Sequence, residues 1–307
     1  MPAQLMNTKE VAAYLQLNEK KIYALAREGR IPAVRLTGKW LFPREELDAW
    51  LAAKARGSVA SPEGGAPPKA GAAAGGAIVV AGSDDPLLRD LLRSLGRRPE
   101  MGLVAFAELG SAEGLRAAAA GQADLAGCHL SEEGEFNLPF LPRLAPGLRG
   151  RVVTVAHRRQ GLLVAPGNPL RLRGVGDLGR PGVRIVNRQP GAGTRLLLDR
   201  ELARAGIDPG SIPGYGDEVS AHLDVAVRIF RREADAGLAC ETAARMMGLG
   251  FVPVCEERYD LIVPEASAGR PGVASLMAAL RSADFRRRAE ALSGYDPREA
   301  GVVQAEL

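Results

Sequence analysis

Cysteine and histidine are scarce, three of each in 307 residues. Cys128, Cys240 and Cys255 are odd in number and widely separated, which excludes a disulfide framework. There is no His-Glu-x-x-His or Cys-x-x-Cys spacing, so no metal centre is expected, and the His and Cys residues read as core or cleft residues. Long apolar runs are also missing. Ala77–Ala81 falls far short of the ~18 residues that a membrane span needs. No apolar leader follows Met1, and with the unpaired cysteines this gives a cytoplasmic expectation. The Gly-x-Ser-x-Gly elbow of serine hydrolases and the Gly-Lys-Ser/Thr of a phosphate-binding loop are both absent. No activated nucleophile or acid/base pair stands out, so the expectation is a binding protein with no cofactor rather than an enzyme. Glycine is plentiful but has no period of three, which excludes a collagen-like chain.

What is present is ordinary for a globular protein, with 46% apolar and 25% charged residues. The charge is unevenly placed. Residues 1–56 carry 10 Lys/Arg against 6 Asp/Glu, whereas residues 57–307 carry 30 of each. A small basic unit beside a neutral one points to a polyanionic partner or to a plain solvated surface. Between them, 17 of the 20 residues 57–76 are Gly, Ala, Pro or Ser. Such a segment has little to bury and reads as a linker between units 1–56 and 77–307.

In the first unit, Asn7 and Glu10 form a capping-box pattern ahead of an apolar face made by Val11, Ala12, Tyr14 and Leu15. Asn18 can cap a second helix, Glu19–Glu28, with Ile22, Leu25 and Ala26 inward and Gly29 as its stop. Residues 31–42 read as a hairpin turning at Thr37-Gly38. Pro43 then opens a last helix in which Leu47, Trp50 and Leu51 pack back. Residues 6–52 resemble the excisionase-like, MerR-related winged helix-turn-helix family, through Thr8–Ala12, Lys20–Tyr23, Gly29–Ala33 and Lys39–Pro43. The resemblance implies double-stranded DNA as partner, with the second helix in the major groove and the hairpin as wing. It places Lys20, Lys21, Tyr23 and Arg27 on or near that helix and Arg35 and Lys39 on the wing. Tyr23 has a helix-packing alternative, and Trp40 reads as core.

The second unit alternates strand and helix, an α/β pattern whose ligands collect beyond the carboxyl ends of the strands. Ser83 and Ser111 fall there, each at a helix start, where a serine either serves an anion or simply caps the helix. The strongest local signal is Asn187-Arg188-Gln189-Pro190-Gly191-Ala192-Gly193-Thr194-Arg195, a small-residue loop between a strand and a helix. Gly191 and Gly193 admit close backbone approach, Thr194 offers a hydroxyl, and Arg188 and Arg195 offer charge, which together suit an anion. Arg195 could instead pair with Asp199 at i,i+4. Glu218 and His222 stand near the start of a later helix, where capping is the alternative role for Glu218.

Residues 77–295 resemble the type II periplasmic-binding-protein-like domain found fused to helix-turn-helix units in bacterial regulators. The matching stretches include Ala81-Gly82-Ser83-Asp84, Asp124–Leu130, the Arg188–Arg195 loop, Ser220–Ala226, Ala234–Leu238 and Glu257–Leu261. The expected fold class is therefore α/β: a small N-terminal winged helix-turn-helix plus a two-lobed domain with mainly parallel sheets, crossed at residues 151–166 and again at 257–264. The resemblance implies a ligand-responsive transcriptional regulator, a repressor, working as a homodimer. Its effector would be a small anion, molybdate or tungstate first, held between the lobes by Ser83, Asp84, Ser111, Arg188, Gly191, Ala192, Gly193, Thr194, Arg195, Glu218 and His222. Many relatives have serine where Ala192 stands, so one hydroxyl donor is missing here, and Arg188 and Arg195 keep a carboxylate or phosphate open as the alternative ligand. Two alternatives are an enzyme or carrier of molybdenum-cofactor metabolism and an architectural DNA protein with an assembly domain.

Overall fold

The computed structural model describes residues 5–15, 18–27, 31–36, 39–44, 47, 77–98, 101–132 and 134–307. The chain divides into two compact units, Met1–Ala70 and Gly71–Leu307. In the first, β1 (Leu5–Asn7) leads into α1 (Thr8–Leu15) and α2 (Glu19–Arg27), followed by β2 (Val34–Leu36) and β3 (Lys39–Pro43). The helix starts follow local chemistry. Asn7 Oδ1 accepts from the backbone N–H of Lys9 and Glu10 at 2.9 and 3.0 Å, and Glu10 accepts from the Asn7 N–H at 2.7 Å. Asn18 Oδ1 accepts from Lys21 N–H at 2.8 Å. Met6, Val11, Ala12, Ile22, Leu25, Ala26, Ile31, Phe42 and Leu47 form the core, with Trp40 packed against it.

Two expectations change here. Tyr14 is 40% exposed, with the Arg44 guanidinium over its ring, rather than part of the inward face. Pro43 ends β3 opposite Leu5, and Arg44 and Leu47 just after it are helical, with Leu47 packed into the core as expected. The strand β1, which pairs antiparallel with β3, was not anticipated because three residues carry too little periodicity to read. Gly29, Thr37-Gly38, Trp50, Leu51 and the segment 57–76 lie outside the described residues.

The second unit opens with β4 (Ile78–Gly82), α3 (Pro86–Leu95), β5 (Val104–Glu108), α4 (Ser111–Ala119) and β6 (Leu125–Cys128). A hairpin, β7 (Ser131–Glu132) and β8 (Glu135–Phe136), and α5 (Leu141–Leu144) precede the long strand β9 (Gly150–Val164). Then come β10 (Asn187–Arg188), α6 (Gly193–Arg204), β11 (Glu218–Val219), α7 (His222–Phe230), β12 (Ala236–Cys240) and α8 (Glu241–Met246). The second long strand, β13 (Gly250–Pro264), returns to α9 (Glu265–Ala268), α10 (Pro271–Leu280), α11 (Ala283–Ala291), β14 (Tyr295–Asp296) and β15 (Val303–Glu306).

The central sheet is mixed. β5, β4 and β6 run parallel, whereas β6, β13, β9 and β12 pair antiparallel. The antiparallel half exists because the chain crosses from one lobe to the other on β9 and comes back on β13. These two strands are paired from Gly150 opposite Pro264 to Val164 opposite Gly250. The return therefore begins at Gly250, earlier than expected from Glu257, and an irregularity between Pro253 and Cys255 had masked its alternation. One lobe is built on β4, β5 and β6, and the other on β12 and the far ends of β9 and β13.

Apolar periodicity fixes the helices on these sheets. On α3, Leu87, Leu88, Leu91, Leu92 and Leu95 are buried while Arg93 faces water. Each such leucine contributes about 1.5–3 kcal/mol by burial. Helix α4 crosses β4 at Gly114, where an added Cβ would lie 2.4 Å from the Cα of Gly82. That close approach sets the first turn of α4 beside the carboxyl end of β4. Both lobes thus present strand ends and helix starts to the seam between them.

Candidate functional site

The first unit presents one cationic helix face. On α2, Ile22, Leu25 and Ala26 are buried, and Lys20, Lys21, Tyr23 and Arg27 are exposed, Tyr23 by 51%. Tyr23 is therefore not a helix-packing residue. Arg35 and Lys39 stand on β2 and β3, where Leu36 pairs with Lys39 and Arg35 with Trp40.

The second unit gathers its polar residues at the seam between the lobes. Ser83 and Ser111 are fully buried, and neither caps a helix. Asp85 caps α3 instead, accepting from Leu88 N–H at 2.7 Å, and α4 has no side-chain cap. The two serines converge on His129. Ser83 Oγ lies 2.7 Å from His129 Nε2, and Ser111 Oγ accepts from the His129 N–H at 3.2 Å. His129 Nδ1 is 2.9 Å from Glu257 Oε2. Arg158 donates from Nε to Glu257 at 2.7 Å and from Nη1 to Asp85 at 2.6 Å, and Gln160 Nε2 donates to Glu257 at 2.8 Å. Arg158 and Gln160 lie two apart on β9, so they project to one face of the crossing. Tyr259 stacks beside His129 and its hydroxyl donates to the Ser83 carbonyl at 2.6 Å.

The second lobe closes on this cluster. Ala112 N–H donates to the Gly191 carbonyl at 3.2 Å, and His222 N–H donates to Asp84 Oδ2 at 3.2 Å. At Gly193 an added Cβ would lie 2.7 Å from His129 Cε1 and 2.8 Å from the His129 carbonyl. Gly191 has φ +81°, a conformation that favours glycine and turns the loop into α6. Ala192, the residue before α6, is fully buried and offers no side-chain cap. The first-turn N–H groups of Gly193, Thr194 and Arg195 therefore have no carbonyl one turn earlier in the helix. The rings of His129 and His222 stand 6.1 Å apart across the seam. Arg188 is 1% exposed and donates from Nη2 to the Ser220 carbonyl at 2.6 Å.

Five buried polar atoms at this seam have no hydrogen-bond partner among the described residues: Arg158 Nη2, Gln160 Oε1, Arg188 Nη1, Thr194 Oγ1 and His222 Nε2. Burial lowers Arg188 to about 10, so it remains charged at neutral pH. Burial, with Arg188 and Arg158 nearby, pushes His222 far below its ordinary value, so it is neutral. Its Nδ1 accepts from Cys240 N–H at 3.3 Å, which leaves the proton on Nε2. Burial also lowers His129. Burial alone would raise the Glu257 carboxyl, but His129 and Arg158 outweigh it and hold it at about 2. Four of the five unpartnered atoms can therefore donate a hydrogen bond.

Three expected residues, Arg195, Glu218 and Asp84, have other partners. Arg195 donates to Asp199 at 3.1 Å and to Glu218 at 3.0 Å, and its guanidinium lies over the Tyr215 ring. Arg195 and Glu218 thus tie α6 to β11 beside the seam. Asp84 is held by Arg89 and by the His222 N–H, which makes it a clasp between lobes. Arg158, Gln160 and Glu257 were not expected as site residues, although Glu257 opens one of the matching stretches. One signal was present: His157-Arg158-Arg159-Gln160 interrupts an otherwise apolar run from Val152 to Val164.

A helix-turn-helix unit joined to a two-lobed α/β unit with a polar seam defines a DNA-binding regulator with a ligand-binding domain. The chain belongs to the PBP superfamily: the model described as PBP superfamily domain matches residues 92–281, and one described as helix-turn-helix domain matches residues 5–55. It is 29% identical over 312 residues to the uncharacterized protein YvgK of Bacillus subtilis (strain 168), covering 96% of both chains. Among solved structures it is similar to a phosphate ABC transporter substrate-binding protein with bound phosphate from Clostridium perfringens, with TM-score 0.54, 12% identity, and 72% of this chain and 99% of that one covered. It is also similar to the sulfate-binding protein SubI from Mycobacterium tuberculosis H37Rv, with TM-score 0.50, 17% identity, and 73% and 86% covered. No helix among the described residues is long and apolar enough to cross a membrane.

Proposed function

We propose that this protein is a cytoplasmic, ligand-responsive transcriptional regulator, a repressor acting as a homodimer, whose second unit closes on a small oxyanion. The observation that carries this reading is the set of buried donors without partners at the seam: Arg158 Nη2, Arg188 Nη1, Thr194 Oγ1 and His222 Nε2. Leaving such donors unpaired costs about 1–3 kcal/mol each, and an oxyanion satisfies several at once. The hydroxyl hydrogen of Ser111 and the first-turn N–H groups of α6 add further donors. The ligand set is Ser83, Ser111, Arg158, Gln160, Arg188, Thr194 and His222, while Gly191, Ala192 and Gly193 shape the loop. We assign Asp84, Arg195 and Glu218 to holding that geometry. The sequence resemblance nominates molybdate and tungstate, and the fold is shared with binders of phosphate and sulfate.

The contacts Ala112–Gly191 and His222–Asp84 form only when the lobes meet, so an anion that favours the closed form changes how DNA-binding units are placed in a dimer. Lys20, Lys21, Tyr23, Arg27, Arg35 and Lys39 would meet the duplex, the lysines mainly at phosphates. Thermal unfolding of the full chain with molybdate, tungstate, sulfate and phosphate tests the reading. An anion at ~100 times its Kd adds about 2.7 kcal/mol, and Thr194→Ala and Arg188→Met should abolish that gain. No stabilisation by any of the four would defeat the anion reading.

A further inference from the structure

The direction of the hydrogen bonds at the seam discriminates among oxyanions. The Glu257 carboxylate accepts from His129 Nδ1, and burial keeps this imidazole neutral, so its single proton is on Nδ1 and Nε2 is an acceptor. Ser83 Oγ, 2.7 Å away, must then donate its only hydrogen to Nε2. This leaves Ser83 Oγ with lone pairs and no proton to offer a ligand. Gln160 is fixed in the same way. Its Nε2 donates to Glu257, so its Oε1 faces the other way, buried and without a partner. Glu257 thus orients two acceptors in a site otherwise made of donors.

The charge balance agrees. Arg158 is matched by Asp85 and Glu257. Arg188 meets only neutral oxygens, those of Ser220 and Gln189, and Asp84 is already paired with Arg89. One buried cation at the seam is therefore left without a carboxylate. Ser83, Ser111, Arg158, Arg188, Thr194 and His222 are each at most 1% exposed, so a ligand held by them is shut off from solvent, which favours a small ion over an ester with a side group.

We infer that the closed site selects a tetrahedral oxyanion that still carries a proton, with hydrogen phosphate preferred over sulfate, molybdate and tungstate. This inference rests on the oxyanion reading above and reorders its candidates. A protonated oxyanion gives its O–H to Gln160 Oε1 or Ser83 Oγ and receives hydrogen bonds on its remaining oxygens. A fully deprotonated one sets an oxygen lone pair against an acceptor and leaves that acceptor unsatisfied.

Calorimetric titration of the full chain with inorganic phosphate, sulfate, molybdate and tungstate at pH 7.5 tests it. Phosphate should bind about tenfold or more tightly than each of the others. In Gln160→Leu and Ser83→Ala the preference for phosphate over sulfate should narrow toward parity. If either variant fails to fold, the wild-type ratio alone decides. Sulfate, molybdate or tungstate binding as tightly as phosphate would overturn this selection while leaving the oxyanion site standing. Binding of none of the four would overturn both.

Discussion

Replacing Arg158 by methionine removes the cation at the centre of the interlobe crossing. Arg158 is 1% exposed and bridges Asp85, fully buried, and Glu257, 3% exposed. Methionine fills much of the same volume but leaves two buried carboxylates without their partner. Breaking a buried pair in this way costs about 3–5 kcal/mol. The Glu257 carboxyl, held at about 2 against an ordinary 4.5, carries about 3 kcal/mol of stability at neutral pH, supplied by His129 first and by Arg158 second, so only part of it goes with Arg158. For a unit of this size a loss of about 3–5 kcal/mol lowers Tm by roughly 6–20 °C. The pH dependence is equally specific. In the wild type the folded pKa lies below the unfolded one, so the contribution is complete above pH 4.5 and is lost as pH falls toward 2. In Arg158→Met one of the groups that hold the Glu257 carboxyl down is lost, so its pKa rises and the variant loses less stability than the wild type as pH falls. The gap between the two proteins should therefore shrink from pH 7.5 to pH 3. Urea unfolding at both pH values measures it. A loss under about 1 kcal/mol at pH 7.5, or a gap that does not narrow at pH 3, would refute the reasoning.

Other outcomes follow from the same geometry. Gly193→Ala places a methyl group 2.7 Å from His129 Cε1, so the lobes cannot meet fully. Anion affinity should fall at least about tenfold, and small-angle scattering should record a wider second unit. An unchanged affinity would mean that the seam does not close on the ligand. Arg188→Met should eliminate anion binding, because it removes a buried seam cation that has no carboxylate partner among the described residues, and calorimetry reads this directly. In the first unit, Lys20→Ala and Lys21→Ala should each lower the slope of log affinity for DNA against log salt by about one, without changing which duplexes are preferred. A change in preference would make them base-reading residues.

What could be read from the sequence was local. The caps at Asn7, Glu10 and Asn18 act over two or three residues, and the Arg188–Arg195 loop declares itself through its glycines. The i,i+4 pair of Arg195 with Asp199 was open to the same reading and is present. The centre of the seam was not readable in this way. Glu257 reaches Arg158 across 99 positions, Gln160 across 97 and His129 across 128, and no short pattern announces those partners. Ser83 and Ser111 looked like caps because helices follow them closely. Only the fold reveals that Asp85 caps α3 and that both hydroxyls turn toward His129. Likewise, Tyr14 fits an apolar helix stripe in sequence, yet the small core closes without it.

The central claim is that an anion held at the seam between the lobes controls DNA binding by the first unit. Fluorescence anisotropy of the full chain on a duplex selected from a random pool, with and without saturating phosphate, tests it directly. The account expects at least about a fivefold change in DNA affinity with the anion, absent in Arg188→Met, since coupling of 1–3 kcal/mol is typical between linked sites. Equal DNA affinity with and without phosphate, in a protein that calorimetry shows to be loaded, would contradict it.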